Sequence, residues 1–259
     1  MLLKTASGRI GGVSFVVLGG GGPVTVFAHG LGGSVAETRP LATRVPGTRV
    51  LLDFRGHGDS ALLDDGWDYD LLADDLLSVA DAVGASQAVG LSLGAGALLR
   101  ALSRDPSRFA KVAFVLPAAI DDLRRDGATE RLLRLGDAIT AQDARAVADI
   151  LLEELPAVTR ERRGVEALVL RRASQLVLKP APGPRSEDRP LHSRSVFGEI
   201  LCPALVLAQT DDPLHPSDLA VELAGLLPAS ELVVLAEGGV FWTAARDAQA
   251  ALARHLTED

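Results

Sequence analysis

Short apolar runs alternate with longer segments of helical periodicity along most of this chain. The apolar runs predict β-strands, because they are bounded by glycine, proline and polar residues. The predicted strands cover residues 13–18, 24–28, 50–52, 87–91, 110–116, 204–208 and 231–235. From residue 24 onward these runs are apolar on both faces, which is typical of strands buried in a parallel sheet.

Helical periodicity predicts helices over residues 69–83, 94–103, 217–227 and 241–256. Each of them lies between two predicted strands or at the end of the chain. This alternation is typical of βαβ units. We therefore predict an α/β fold with a mostly parallel central sheet flanked by helices.

A glycine run at residues 19–22 is followed by Pro23. It lacks the downstream helix that a phosphate-binding loop needs, so we predict a hairpin turn.

Residues 118–197 interrupt the alternation. They are rich in Arg, Asp, Leu and Ala at helical spacing, and they end in the proline-dense run KPAPGPRSEDRP, which predicts a loop. We predict a helical lid insertion over residues 118–197 within a core of residues 1–117 and 198–259. Its place between two core strands favours a lid, since open α/β folds bind ligands at the carboxyl edge of the sheet. The same charge pattern also fits the solvated face of ordinary helices.

The composition limits the classes of partner. The 259 residues are 47% hydrophobic and 23% charged, which is enough for one large core. A formal charge of −8 without a Lys/Arg block argues against nucleic acid. No segment has the apolar length of a signal peptide or membrane helix, so we expect a cytoplasmic protein without membrane association. The single cysteine, Cys202, fits a buried small apolar residue.

A serine between two glycines is the strongest chemical signal. Gly90, Ser92 and Gly94 form G-x-S-x-G between a predicted strand and a predicted helix. A sharp turn there needs glycine on both sides for steric clearance, and it exposes the serine oxygen at the start of a helix. The alternative is a small-residue turn with an incidental serine.

Three further segments accompany this motif. FAHGLGGS, residues 27–34, ends a strand in glycines whose backbone N–H groups can face an oxyanion. DFRGHGDS follows the next strand, and TDDPLHP follows a late one. In this order and at these separations, HGLGG, DFRGHGDS, GLSLGAG and TDDPLHP resemble the α/β-hydrolase fold superfamily over nearly the whole chain.

The resemblance implies roles for several residues. Ser92 matches the nucleophile, and the backbone N–H groups of Leu31 and Leu93 match the two oxyanion donors. The acid falls in TDDPLHP, where an aspartate followed by three residues and a proline selects Asp212, with Asp211 as the alternative. An aspartate before a proline is also a common turn former.

This chain departs from the family pattern at the position of the catalytic base. The family carries a histidine after one or two glycines in the loop behind the last strand, whereas this chain has Gly238, Gly239, Val240 and Phe241. Valine cannot accept the serine proton or return it to a leaving group. Hydrolysis through the family's usual arrangement is therefore not expected.

Another histidine could replace the missing base. His215 is the best substitute, because it lies three residues after Asp212. His29 and His57 match loop positions that the family carries beside a complete triad. His192 could reach the site only if its segment folds over it. His255 lies near the end of the last predicted helix.

The expected pocket includes His29 and Gly30 on the first glycine loop and Phe241 and Trp242 beside Val240. The two aromatic residues fit equally well as core packing. No metal-ligand cluster or dinucleotide motif occurs in the sequence, so we expect no cofactor and no metal.

Three functions remain open at this point. The first is an enzyme that acts on an ester, thioester or lactone of a small apolar molecule. The second is a non-hydrolytic enzyme, such as a cyclase, a lyase or an acyltransferase, which needs only oxyanion stabilisation. The third is a ligand-binding protein without turnover. The distance from Ser92 Oγ to the nearest imidazole nitrogen distinguishes the first from the others. The sequence indicates neither the particular substrate nor the oligomeric state.

Overall fold

A computed structural model describes residues 5–122, 127–178, 180, 183–184, 188–236 and 239–257. Over these residues the chain forms an eight-stranded sheet of order β1-β2-β4-β3-β5-β6-β7-β8. The strands are β1 Thr5–Ile10, β2 Val13–Gly19, β3 Val24–Ala28, β4 Thr48–Asp53, β5 Gln87–Leu91, β6 Lys111–Val115, β7 Ala204–Gln209 and β8 Ser230–Leu235. The pairs β1–β2 and β2–β4 are antiparallel, and all other pairs are parallel. The predicted fold class is confirmed.

Helices cover both faces of this sheet. They are α1 Val35–Ala42, α2 Tyr69–Val83, α3 Leu93–Arg104, α4 Gly127–Thr140, α5 Ala144–Glu153, α6 Ala157–Arg160, α7 Val165–Leu178, α8 Ser217–Leu226 and α9 Ala245–Thr257. Buried residues of α2, α3 and α8 join one face of the sheet in a large apolar cluster, and those of α1 and α9 join the other face in a second cluster. Since both faces are covered, the central strands are apolar throughout.

Local sequence explains the ends of these elements. Helix α2 begins where the Asp68 side chain accepts a hydrogen bond from the N–H of Leu71, and it ends at Gly84 in the left-handed conformation. An aspartate N-cap and a glycine after the last turn are the residues that helix ends favour. All seven predicted strands and the predicted helix over residues 69–83 are confirmed to within a few residues.

Two elements were not predicted from the sequence. Strand β1 has the polar sequence TASGRI and is an edge strand that pairs only with β2 among the described residues. Helix α1 contains Pro40, and its apolar positions form no clear stripe. The hairpin predicted at residues 19–22 is wrong, because β2 and β3 both pair with β4 and not with each other. The hairpin instead connects Ile10 and Val13 through Gly11 and Gly12.

The segment predicted as an insertion carries α4 to α7 between β6 and β7. Its buried residues form a small apolar cluster of their own, which includes Val147, Val169 and Leu176. Most of the predicted KPAPGPRSEDRP loop lies outside the described residues.

Cys202 is partly buried and packs against the larger core cluster. In the part of the chain that the structure describes, no helix is long and apolar enough to cross a membrane.

Candidate active site

Ser92 lies on a sharp turn between β5 and α3. Its backbone has φ 51° and ψ −107°, a strained conformation for a residue with a side chain. A Cβ at Gly90 would lie 2.4 Å from Gly94 O, and a Cβ at Gly94 would lie 2.5 Å from Ala28 O. Both contacts are with backbone that cannot move aside, so the turn requires glycine at these two positions.

The side chain of Ser92 contacts an imidazole. Ser92 Oγ lies 2.9 Å from His215 Nε2, and His215 Nδ1 lies 2.9 Å from Asp212 Oδ2. An ionised carboxylate only accepts hydrogen bonds, so the proton of His215 is on Nδ1 and Nε2 is the acceptor for the serine hydroxyl. The structure therefore joins Ser92, His215 and Asp212 in one hydrogen-bonded chain. Asp211, the alternative acid, is exposed and has a positive φ of 56°.

We name residues 210–216, which connect β7 and α8, the acid loop. Asp212 Oδ1 accepts hydrogen bonds from the backbone N–H groups of Leu214 and His215 at 2.9 and 3.0 Å. Its Oδ2 accepts from the Gln209 side chain at 3.1 Å in addition to His215. Burial acts to raise the pKa of Asp212, but the hydrogen bonds from His215 and these backbone groups outweigh it and leave the pKa below its usual value.

Val240 lies in the apolar core. It is 2% exposed and belongs to the apolar cluster on the α9 face of the sheet. Its π-helical turn, Gly239–Thr243, is named here the Val240 turn. The backbone N–H of Val240 donates to Gln209 Oε1 at 2.8 Å. Gly238, the preceding glycine of the family pattern, lies outside the described residues.

The aromatic neighbours of Val240 pack against two different clusters. Phe241 contacts the cluster that contains Val240, and Trp242 contacts the apolar cluster of the insertion. Both are only partly buried. Both residues therefore take part in apolar packing, and their role in a substrate pocket stays a prediction.

The glycine loop, residues 29–34, lies directly against Ser92. A Cβ at Gly30 would lie 3.4 Å from the Cβ of Ser92. The N–H of Leu31 belongs to this loop, and the N–H of Leu93 is the first of helix α3, where no intrahelical acceptor exists. Leu31 is 36% exposed. Both predicted oxyanion donors thus belong to the segments that adjoin the serine.

A buried carboxylate holds this loop. Glu37 Oε2 accepts a hydrogen bond from the N–H of Gly30 at 2.9 Å, and Glu37 Oε1 accepts one from Arg172 of helix α7 at 2.8 Å. Burial acts to raise the pKa of Glu37, but the charge of Arg172, the smaller contribution of His29 and the hydrogen bonds from Arg172 and Gly30 together outweigh it and lower the pKa. Leu176, also on α7, lies against Gly32. The insertion is therefore attached to the glycine loop by an ion pair and an apolar contact.

His29 links the glycine loop to the residue after β4 by hydrogen bonds. Its Nε2 accepts the N–H of Phe54 at 3.0 Å, so its proton is on Nδ1, which donates to Gly30 O at 2.7 Å. Burial lowers the pKa of His29, and the ring stays neutral. The residue is fully buried with both nitrogens used. The ring has no exposed surface, and the place of His29 in a substrate pocket stays a prediction.

The other histidines lie away from the serine. His57 is buried against His29, with ring centroids 5.0 Å apart, and burial lowers its pKa to about 4. His192 is exposed beside Arg189, and His255 Nε2 bonds to Val112 O. Of the five histidines, His215 is the one that the structure places at Ser92.

A cavity of about 580 Å³ lies between the insertion and the acid loop. Its lining includes Glu153, Glu154, Asp212 and Asp218, with Arg160 as the basic side chain. Burial raises the pKa of Glu154 to about 7. The lining is acidic and includes neither Ser92 nor His215, so this cavity is not the apolar pocket expected from the sequence. Among the described residues, no group of His, Cys, Asp and Glu side chains is arranged to hold a metal ion.

The fold and the site together define a class: an α/β protein whose serine lies on a glycine-flanked turn, hydrogen-bonded to a His–Asp pair. A family model described as alpha/beta hydrolase fold matches residues 23–241. The chain belongs to the α/β-hydrolase-fold family.

Two solved structures show how closely the fold is shared. An esterase from Exiguobacterium antarcticum matches with a TM-score of 0.77 and 21% identity, covering 95% of this chain and 96% of its own. The carboxylesterase CesB from Bacillus subtilis matches with a TM-score of 0.79 and 16% identity, covering 100% and 93%. At these identities the likeness is one of fold.

A curated relative is similar over part of the chain. The dihydrolipoyllysine-residue acetyltransferase component of an acetoin cleaving system from Cupriavidus necator is 29% identical over 155 residues. The match covers 58% of this chain and 40% of the relative. The chain therefore spans less than half the length of this relative.

The sequence did not single out three polar residues at the site. Gln209 ends an apolar strand, Glu37 lies in an unpredicted helix, and Arg172 is one of many arginines in the insertion. A polar residue at the carboxyl end of a buried strand is a detectable signal for Gln209. Glu37 and Arg172 carry no such signal, because their pairing spans 135 residues.

Proposed function

We propose that this protein is a serine hydrolase that cleaves an ester, thioester or lactone of a small apolar molecule. The observation that carries the proposal is the hydrogen-bonded chain from Ser92 through His215 to Asp212. A catalytic triad is recognised by its geometry and roles, and unrelated enzymes supply its members in different chain orders. A base on the acid loop is therefore chemically equivalent to one behind the last strand.

The first half-reaction uses each of these groups. Ser92 Oγ attacks the substrate carbonyl carbon while its proton moves to His215 Nε2. Asp212 stabilises the imidazolium, and the N–H groups of Leu31 and Leu93 stabilise the negative oxygen of the tetrahedral intermediate. The intermediate collapses to an acyl-serine as the bond to the leaving group breaks. His215 then gives its proton to the departing oxygen or sulfur.

Water completes the cycle. His215 Nε2 accepts a proton from water as the water oxygen attacks the acyl carbon. Collapse of the second tetrahedral intermediate releases the acid, and His215 returns the proton to Ser92 Oγ. In a lactone the leaving group stays covalently attached, so the product is a hydroxy acid.

Apolar side chains support the proposed substrate class. Leu31, Phe241 and Trp242 are apolar residues with some exposed surface on the segments that flank the serine and the acid loop. Small-molecule sites are lined mostly by such side chains. The two esterases described above share this fold. Their likeness supports the reaction class without identifying the substrate.

We propose that residues 118–197 form a lid over this site. The support is the contact of helix α7 with Gly32 of the glycine loop through Leu176, and with Glu37, the carboxylate that holds this loop, through Arg172. Trp242 also packs against the apolar cluster of the insertion. The insertion thus contacts two of the segments next to Ser92, where it can control access.

Acyl transfer is the second candidate function. The observation that favours it is the partial similarity to an acetyltransferase component. An acyl-serine can be attacked by a thiol or an alcohol in place of water, and the groups that form it are the same. The hypotheses of a cyclase or lyase that needs only oxyanion stabilisation and of a ligand-binding protein without turnover started from the valine at position 240. The imidazole of His215, 2.9 Å from Ser92 Oγ, supports hydrolysis over both.

A panel of activated and unactivated esters, thioesters and lactones tests the proposal. We expect turnover that falls by about 10³-fold or more in Ser92→Ala. A fluorophosphonate probe is expected to label the peptide that contains Ser92. Mass spectrometry of the products with and without an added thiol separates hydrolysis from transfer. Full activity of Ser92→Ala on every accepted substrate would exclude both functions.

A further inference from the structure

We infer that Gln209 is a positioning residue that holds Asp212 and, through it, aims His215 at Ser92. Gln209 is the last residue of β7, three positions before Asp212. The inference rests on the proposed function, because it assigns a role within the same acid–base pair. It adds a fourth side chain to the chain of contacts that ends at the serine hydroxyl.

The orientation of the Gln209 amide is fixed by its neighbours. Its Oε1 accepts the N–H of Val240 at 2.8 Å, and a backbone N–H can only donate. The NH₂ group must therefore face the other partner, Asp212 Oδ2, at 3.1 Å. The side chain is 5% exposed, so water does not compete for either hydrogen bond.

The hydrogen bond from Gln209 reaches Asp212 Oδ2, the same oxygen that contacts His215. Oδ2 is the acceptor for His215 Nδ1, while Oδ1 is occupied by the two backbone N–H groups of the acid loop. With donors on both oxygens, the carboxylate plane cannot rotate freely. A fixed Oδ2 in turn fixes the ring of His215, whose opposite nitrogen meets Ser92 Oγ.

Val240 explains why a glutamine suits this position. Val240 is buried in the core, so its backbone N–H needs an acceptor away from water. Gln209 provides that acceptor and uses its remaining group on Asp212. One amide therefore links the position where the family carries its histidine to the acid that serves His215.

Gln209→Met tests the role, because methionine has a similar length and removes both hydrogen bonds. Gln87→Met is the matched control: Gln87 is also a strand glutamine 5% exposed, and it makes two side-chain hydrogen bonds, to Thr25 and to Leu256 O, at the opposite end of the sheet. We expect kcat of Gln209→Met to fall by roughly 10- to 100-fold with KM within about twofold. We expect Gln87→Met to lose similar thermal stability while its kcat stays within about twofold.

A proton resonance provides a readout that needs no turnover. The Nδ1–H of His215 donates to Asp212, and its NMR signal, assigned by its loss in His215→Ala, reports that hydrogen bond. We expect the signal to move or broaden in Gln209→Met and to stay in place in Gln87→Met. Fluorophosphonate labelling of Ser92 is expected to slow in parallel with kcat.

The outcomes separate this inference from the proposed function. If the native protein shows Ser92-dependent turnover and Gln209→Met matches Gln87→Met in kcat, the inference is overturned and the hydrolase stands. If the native protein shows no Ser92-dependent turnover, the hydrolase is overturned. In that case an unchanged His215 resonance in Gln209→Met also overturns the placement of Asp212 by Gln209.

Discussion

A single histidine decides how Ser92 can react. The imidazole of His215 lies within hydrogen-bond distance of both the serine and Asp212, whereas Val240 is enclosed by apolar side chains. The proposed acid and base, Asp212 and His215, come from the same loop, three residues apart. Because the backbone N–H of His215 also bonds to Asp212 Oδ1, the loop itself holds the pair together.

His215→Ala tests the assignment of the base. We expect turnover to fall on the order of 10⁴-fold or more, since the oxyanion donors and substrate binding remain without a proton acceptor. The measurement is kcat/KM on the best ester found, together with the rate of fluorophosphonate labelling. His192→Ala is the matched control, because its imidazole is exposed and lies beside Arg189. Equal activity of the two variants would contradict the assignment.

Val240→His is expected to bring no gain in turnover. The position is 2% exposed, and a buried imidazole there has a desolvation cost, so we expect the free energy of unfolding to fall by about 2 kcal/mol. Chemical denaturation measures the stability, and ester hydrolysis measures the activity. Restored turnover in the double variant with His215→Ala would show that the family position still reaches the serine.

At the scale of elements, two segments meet at Ser92 because their backbones can approach closely. Strand β5 passes into helix α3 at a positive φ, and Gly94 lies against the carbonyl of Ala28 at the end of β3. This contact places the first turn of α3 beside the glycine loop. The N–H of Leu93 and the loop that carries Leu31 therefore face the same region.

Gly94→Ala is expected to destabilise this junction. The added Cβ would lie 2.5 Å from Ala28 O, so the free energy of unfolding should fall by about 3 kcal/mol. Gly136→Ala in helix α4 is the control, because nothing lies within 4 Å of its added Cβ. We expect that variant to gain up to about 1 kcal/mol from helix propensity. Urea unfolding measures both, and equal stabilities would contradict the steric argument.

We expect the insertion to affect the site through Arg172. Arg172→Met removes the cation paired with Glu37, which holds the N–H of Gly30. We expect kcat/KM to fall about 10-fold because the glycine loop loses its fixed geometry. The pair is partly exposed, so the free energy of unfolding should change by about 1 kcal/mol or less.

Arg145→Met is the control for this effect. Its ion pairs, with Asp149 and Glu166, lie within the insertion and do not contact the glycine loop. We expect its kcat/KM to match that of the native protein. Similar activity losses in both arginine variants would indicate a general effect on the insertion.

At the scale of the whole molecule, buried neutral histidines make stability depend on pH. Burial lowers the pKa of His57 to about 4, whereas an unfolded histidine titrates near 6.5. Between these values the unfolded chain binds more protons than the folded one. The contribution of His57 is therefore complete above about pH 6.5 and is lost as the pH falls toward 4.

We expect this residue to account for a loss of about 2 kcal/mol between pH 7 and pH 4.5. In His57→Gln the free energy of unfolding should fall by about 2 kcal/mol less between pH 7 and pH 4.5 than in the native protein. This difference is expected whatever the stability of the variant at pH 7. His192→Gln, which changes an exposed imidazole, should keep the native dependence. Urea unfolding at both pH values measures the difference, and identical pH dependence in His57→Gln and the native protein would rule out this origin.

Most of the fold could be predicted because local sequence specifies it. The runs at residues 24–28 and 87–91 are apolar throughout, and the structure places strands at the same residues. Strand β1 has no such run. It is stabilised by pairing with β2 at the edge of the sheet, so its own sequence does not predict it. The turn at residues 19–22 shows the same limit, since the choice of strand partner depends on β4, which follows later in the chain.

The α/β fold, the turn at the glycine-flanked serine and the nearness of Asp212 to His215 could all be predicted from the chain before folding. These features depend on neighbouring residues, whose side chains and backbone angles act over a few positions. The histidine that reaches Ser92 could be identified only after folding, because that contact spans 123 residues and two steps across the sheet, from β5 past β6 to β7. A hydrogen bond requires its atoms to be about 3 Å apart. That distance is set by the packing of the whole sheet and its loops.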